Sequence, residues 1–248
     1  VRDHAQGIRG VWDREQDLSS LRRYVLEEAC EVIDAIDGGD RPELCAELGD
    51  LMLQVVFQAE LARKEGAFGP DDVVAAICDK LVRRHPHVFG EGTATTAGEV
   101  LQNWERIKAA ERAGKKDKGV LGGVPRSLPA LTRAQRVGEK VSRVGFDWNN
   151  AALVVDKIAE EALEIVAAGG DQAQREEEVG DLLFVVANLA RHLKVDPEAA
   201  LRAANAKFVR RFRSIEAALA ARGSSPSEAG LEEMEALWLA AKMEEKKG

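Results

Sequence analysis

The chain has 248 residues, 45% hydrophobic and 31% charged, with a formal net charge of −8. This is long enough for a buried core and too apolar for a disordered polymer. The acidic balance excludes a general nucleic-acid-coating role, and no apolar run approaches the roughly 20 residues a membrane helix needs. Cys30, Cys45 and Cys78 form an odd, sparse set with no C-x-x-C spacing. They read as buried free thiols in a reducing compartment, so a cytoplasmic location is expected.

Aromatics are only 5%, and helix formers abound. In chain order, Leu18, Leu21, Val25, Val32 and Ile36 form a first helical stripe. Leu51, Val55, Ala59 and Ala62 form a second, and Val73, Ile77 and Leu81 a third. Asp71 after Pro70, Asp196 before Pro197 and the Ser225-Pro226-Ser227-Glu228 segment read as helix starts. Trp238 lies on a C-terminal stripe with Met234, Leu237 and Ala241. That residue reads as core or interface packing, with stacking on a nucleotide base as the sharper alternative. No alternating strand pattern stands out, so the expected fold is all-α. Residues 113–126, rich in Gly and Lys, read as a flexible linker between residues 1–112 and 127–248.

An internal repeat organises the chain. Glu27-Glu28-Ala29-Cys30-Glu31 recurs as Glu160-Glu161-Ala162-Leu163-Glu164, and Glu47-Leu48-Gly49-Asp50 as Glu178-Val179-Gly180-Asp181. Lys80-Leu81-Val82-Arg83-Arg84 recurs as Lys207-Phe208-Val209-Arg210-Arg211. Three elements in one order indicate tandem duplicated helical units.

Residues three apart share a helix face. Glu161 and Glu164 therefore point together, as do Glu178 and Asp181. On antiparallel neighbouring helices the four carboxylates converge, and hard oxygen donors suit Mg²⁺, with Mn²⁺ as a substitute. The first half offers Glu28, Glu31, Glu47 and Asp50. Solvated acidic faces are the ordinary meaning of such acids. Here none has Lys or Arg four residues C-terminal, and Asp50 and Asp181 sit in long apolar runs. Gly49 and Gly180, costly inside a helix, point to a close helix or phosphate approach. Lys207, Arg210 and Arg211 suit a triphosphate, and Lys80 and Arg84 recur beside the first acid set. A ferritin-like di-iron site needs Glu-x-x-His pairs, which His85, His87 and His192 do not form.

Together these segments resemble the MazG family of nucleoside triphosphate pyrophosphohydrolases in its two-domain form. The resemblance is carried by WDREQ (12–16), YVLEEACEVIDAI (24–36), ELGDLMLQVVF (47–57), KLVRRHPHVFG (80–90), NWERIKAAE (103–111), VPRSLPAL (124–131), VGFDW (144–148) and NAKFVRRFRSIE (205–216), besides the second acidic pair. It implies an all-α fold with a four-helix-bundle core completed by homodimerisation. It also implies Mg²⁺-dependent cleavage of nucleoside triphosphates to monophosphate and pyrophosphate, with the better site in the second half. Glu161, Glu164, Glu178 and Asp181 are then metal ligands. Lys157, Lys207, Arg211 and Trp238 contact nucleotide, with Arg210 beside them. Glu160 is placed to orient or deprotonate the water. The chain departs from the family at Gly10-Val11, where Cys-Pro is usual, and at Gln174, where a basic residue is usual. Tyr24 stands in the place of Lys157, and no counterpart of Trp238 is evident after Arg84, so the first half is expected to be the weaker site. The competing functional reading is a non-catalytic, nucleotide-sensing helical dimer.

Overall fold

The computed structural model describes residues 15–90 and 119–245 and, between them, positions 96, 98–100, 103, 104, 106, 107 and 111. Gly10-Val11, the start of WDREQ and residues 113–118 of the expected linker lie outside the described residues. The described residues contain helices and turns and no strand. The chain divides between Gly114 and Lys115 into two compact units.

In the first unit, α1 (Arg22–Gly38) and α2 (Arg41–Lys64) pack as a hairpin. Gly39 turns the chain at φ +73°, where a side chain would be strained. Asp40 then caps α2 by accepting from the Glu43 N–H at 3.1 Å. Helix α3 (Pro70–Arg84) follows, then the single turn α4 (Pro86–Phe89). Pro86 ends α3, and His85 sits at the junction with its Nδ1 2.9 Å from the Leu81 carbonyl.

The second unit opens with α5 (Ala130–Ser142) and continues with α6 (Ala151–Ala167) and α7 (Gln172–His192), the counterpart of the α1–α2 hairpin. Gly169 turns at φ +56°, and Asp171 caps α7 by accepting from the Ala173 and Gln174 N–H groups. Helix α8 (Pro197–Ala220) packs on α5 and α7, and α9 (Leu231–Glu244) packs on α8. Val154, Val185, Ala187, Ile215 and Leu219 are buried at these contacts.

Asp196 caps α8 as expected, accepting from the Ala199 N–H at 3.0 Å. Two other starts differ. Gly69, not Asp71, is the N-cap of α3; Pro70 takes the first helical position and Asp72 reaches back to accept from the Gly69 N–H at 2.8 Å. The Ser225–Glu228 segment closes only a turn, through a Ser225 hydroxyl to Glu228 bond of 2.9 Å, and α9 begins at Leu231. The C-terminal part of the expected linker is tied down, because the Lys140 ammonium donates to the Gly122 carbonyl. The cysteines are free but exposed, not buried. They share helix faces with uncovered apolar residues: Cys30 with Leu26, Cys45 with Leu48 and Met52, Cys78 with Val74 and Val82.

A close approach does explain one glycine. A Cβ on Gly138 of α5 would stand 2.9 Å from Oδ1 of the buried Asn188 and 3.3 Å from Arg191 Nε. Asn188 Oδ1 already accepts from Arg191 Nε at 2.6 Å, and Arg191 and His192 both hold Asp147 of the VGFDW segment. Burial works against the Asp147 carboxylate, but Arg191 and then His192 hold it below its ordinary pKa. Among the described residues a Cβ at Gly49 or Gly180 would meet nothing within 4 Å, so no described neighbouring helix explains them. Gly138→Ala should therefore cost about 1–3 kcal/mol through overpacking. Gly180→Ala should be neutral or stabilising by up to about 1 kcal/mol. Urea unfolding of the two variants checks this contrast; equal stability would remove the close-packing account of Gly138.

Candidate active site

The α6–α7 hairpin brings Glu161, Glu164 and Glu178 together, with one carboxylate oxygen of each within 4.8 Å of the others. The i, i+3 spacing on α6 sets the first two side by side, and the Asp171-capped return places Glu178 opposite. Glu161 is buried at 4% exposure. Burial, then the charges of Glu161 and Glu178, pushes Glu164 above its ordinary pKa.

One cation is already present. Lys157 Nζ lies 2.8 Å from both Glu160 and Glu161. The hydrogen bonds to Glu160 and then Glu161 raise its pKa above the ordinary lysine value. An inspection of C-terminal partners alone misses this contact, because the lysine lies four residues before Glu161. The visible signal is K-x-x-E-E on one helix face.

The first unit repeats the trio at Glu28, Glu31 and Glu47, again with oxygens within 4.8 Å. Among the described residues no lysine joins here: Tyr24 stands in the place of Lys157. Burial, then Asp50 and Glu31, raises the Glu28 pKa against a 3.4 Å hydrogen bond from Gln54. Burial, then Glu31, Glu43 and Asp50, raises that of Glu47. The expected fourth members, Asp50 and Asp181, are exposed and stand outside the two trios.

The donor chemistry fits a divalent cation. Oxygens bound to Mg²⁺ at about 2.1 Å lie about 3 Å apart when adjacent and about 4.2 Å when opposite. The spacing in each trio is close to that range and reachable by side-chain adjustment. All donors are hard carboxylate oxygens, as Mg²⁺ and Mn²⁺ prefer.

The basic elements take the same form in both units. Arg210 and Arg211 of α8 fork onto the Glu245 carboxylate, with Nε–O distances of 2.8 Å each. The Arg211 guanidinium lies 5.4 Å from the centroid of the Trp238 ring on α9. In the first unit Arg83 and Arg84 fork onto Glu111, and Arg84 lies 5.8 Å from the Trp104 ring centroid. This corrects the expectation that the first half has no counterpart of Trp238. The repeat extends to the last helix as Trp-x₃-Lys-x₂-Glu, at Trp104, Lys108 and Glu111 and at Trp238, Lys242 and Glu245. Trp238 also packs against Phe208, with ring centroids 5.0 Å apart.

Lys80 and Lys207 are exposed. Among the described residues, no hydrogen bond or ion pair joins Lys207, Arg210 or Arg211 to the acidic trio. The acids belong to the α6–α7 hairpin and the forked arginines to the α8–α9 pair.

The duplicated helical hairpin with its carboxylate trio is matched in known sequences. The MazG nucleotide pyrophosphohydrolase domain matches residues 16–89 and 150–215. The chain belongs to the MazG family. It is 50% identical over 249 residues to the nucleoside triphosphate pyrophosphohydrolase of Escherichia coli, covering 99% of this chain and 94% of that protein. It is 45% identical over 231 residues to the nucleoside triphosphate pyrophosphohydrolase/pyrophosphatase MazG of Thermotoga maritima, covering 93% of this chain and 88% of that one. The Mycobacterium tuberculosis nucleoside triphosphate pyrophosphohydrolase is 34% identical over 223 residues, covering 88% of this chain and 58% of that protein. In this MazG chain the two matched segments contain both carboxylate trios and all four forked arginines.

The fork of the first unit has a pH signature. Hydrogen bonds from Arg84 and then Arg83 lower the Glu111 pKa from 4.5 to about 2. A depressed carboxylate contributes stability above its unfolded pKa and loses it as pH falls through the folded one. Thermal unfolding midpoints should show this loss between about pH 4.5 and 2, and Glu111→Gln should flatten the first unit's decline over that interval. Parallel declines in the two proteins would mean that the fork does not stabilise the unit.

Proposed function

We propose that this MazG-family chain hydrolyses nucleoside triphosphates, ribo- or deoxyribo-, to monophosphate and pyrophosphate in the cytoplasm. The reaction depends on Mg²⁺, with Mn²⁺ as a substitute, and the main site is in the second unit. The convergence of Glu161, Glu164 and Glu178 beside Lys157 carries this reading, and the names of the full-length relatives support it. The catalytic domain spans residues 127–248, joined through 113–126 to an amino-terminal domain of residues 1–112.

Glu161, Glu164 and Glu178, with Asp181 as a fourth carboxylate, would hold the metal, which when bound would supply charge neutralisation at the phosphate oxygens and a more acidic water. Lys157 exchanges its contact with Glu161 for substrate phosphate and keeps its charge in doing so. Glu160, on an adjoining face of α6, orients the attacking water or accepts its proton. Lys207, Arg210 and Arg211 bind the phosphates and stabilise the leaving pyrophosphate. Trp238, already stacked on Arg211, offers a ring face to the base.

The first unit is a weaker secondary site built from Glu28, Glu31, Glu47, Asp50, Lys80 and Arg84. Since Trp104 matches Trp238, its deficit reduces to Tyr24 in place of Lys157. One missing charge-assisted contact costs about 1.5–3 kcal/mol, or roughly one to two decades in affinity. Glu164→Gln should lower pyrophosphate release by at least about 100-fold, and Glu31→Gln should leave most of it. The same assay should find monophosphate and pyrophosphate as products; orthophosphate with accumulating diphosphate would place attack at the γ-phosphorus and overturn the reading. Loss in the Glu31→Gln variant alone would move the main site to the first unit.

The protein acts as a homodimer, with no nucleic-acid or membrane partner. Support comes from apolar residues that the α6–α7 hairpin leaves uncovered: Leu163 at 70% exposure, Val166 at 77%, and Val179, Leu183 and Val186 at 41–50%. A second hairpin laid against them completes a four-helix bundle. Light scattering at micromolar concentration should return twice the 27.0 kDa chain mass. A monomeric mass would rule the dimer out.

A further inference from the structure

The repeated Arg–Arg–Glu fork is built around an anion that the chain itself supplies. Neighbouring residues on a helix point about 100° apart, so Arg210 and Arg211 converge only by bending toward a shared partner. That partner is Glu245: its Oε1 takes Arg210 through Nε and NH2 at 2.8 Å each, and its Oε2 takes Arg211 at 2.8 and 2.6 Å. Four N–H donors thus surround one carboxylate. A guanidinium fork matches phosphate as well as it matches carboxylate, and phosphate carries more charge and one more oxygen.

We infer that Glu245 is a tethered stand-in for a nucleotide phosphate, occupying the Arg210–Arg211 fork until substrate displaces it. This rests on the reading of Arg210 and Arg211 as nucleotide ligands. Two further observations support the inference. The arrangement recurs in the first unit, where Glu111 lies between Arg83 and Arg84 at the same seven-residue distance from its tryptophan. Both copies of the duplicated unit thus keep the two arginines, the acid and the tryptophan together at one spacing. The attachment also suits exchange. Glu245 is the residue after α9, the C-cap position, whereas Trp238 lies two turns back under Arg211. Turning the last residues of α9 outward frees the fork without unstacking the tryptophan.

The device has two consequences. The guanidiniums remain gathered between turnovers, Arg211 half-buried and Arg210 in water, so substrate meets a preformed site. Substrate must also expel a carboxylate to bind, which disfavours weakly charged ligands relative to triphosphate. A purely structural Glu245 that only holds the arginines in place has the opposite effect when removed.

The experiment is calorimetric titration of the full chain with inorganic tripolyphosphate in the presence of Mg²⁺, a probe with the phosphate charge and no base. Glu245→Gln should bind about tenfold more tightly than wild type, and Arg211→Ala more weakly. Unchanged or weaker binding by Glu245→Gln, with Arg211→Ala weakened, overturns the stand-in and leaves Arg211 a ligand. Unchanged binding by Arg211→Ala refutes the ligand reading and the inference together. Should melting show Glu245→Gln unfolded, Glu245→Asp, whose carboxylate is one methylene short of the fork, takes its place with the same expected direction.

Discussion

Three carboxylates crowded across one helical hairpin are an electrostatic liability that both units accept. At oxygen separations within 4.8 Å their charges repel, and burial weakens the hydration that would otherwise compensate. The raised pKa values of Glu28, Glu47 and Glu164 register that strain. The rest of each hairpin serves to hold the liability in place. A left-handed glycine and an aspartate cap reverse the chain within a few residues, so the second helix returns with its acid opposite the first pair. Simple solubility would place these acids apart, on the water-facing side. Their convergence is a donor arrangement that suits a cation.

The two units answer the crowding differently. In the second, Lys157 reaches Glu160 and Glu161 from one turn before and neutralises part of the cluster. In the first, Tyr24 stands at that place, and the amide of Gln54 gives Glu28 a single longer contact. The acid trio and the Arg–Glu–Trp assembly are otherwise alike in both. Inequality between the halves is therefore concentrated on the α1 and α6 faces. Lys157 has a second aptitude, because an ammonium pairs with a phosphate as readily as with a carboxylate.

The fold class, the duplication and the carboxylate trios were legible because each has a short-range signature. Amphipathic period, repeated E-E-A-x-E and E-x-G-D strings, and i, i+3 spacing all translate directly into helix faces. Long-range consequences were less legible. The Trp104 counterpart of Trp238 is hidden because the 84–104 interval is longer than a local scan covers, and only the shared contact with the Arg-Arg pair exposes it. Asp50 and Asp181 look buried in their apolar runs, yet both are exposed, because those runs are themselves not covered on every side. Glu228 satisfies the spacing of a capping box and still closes only a turn, since Gly230 begins the helix two residues later.

The uncovered apolar surface is what those misreadings share. Leu26, Leu48, Met52, Leu163, Val166 and Leu183 are large side chains left in water on the same two hairpins that carry the acids. At about 25 cal/mol per Å² of apolar area, covering even a few of them outweighs one surface ion pair many times over. Cys30 and Cys45 lie on these faces too, so the expected burial of the thiols fails where the apolar residues beside them are also uncovered. The uncovered apolar residues and the acids of the trio occupy different faces of the same helices: Leu163 lies two residues, about 200° of helix, from Glu161.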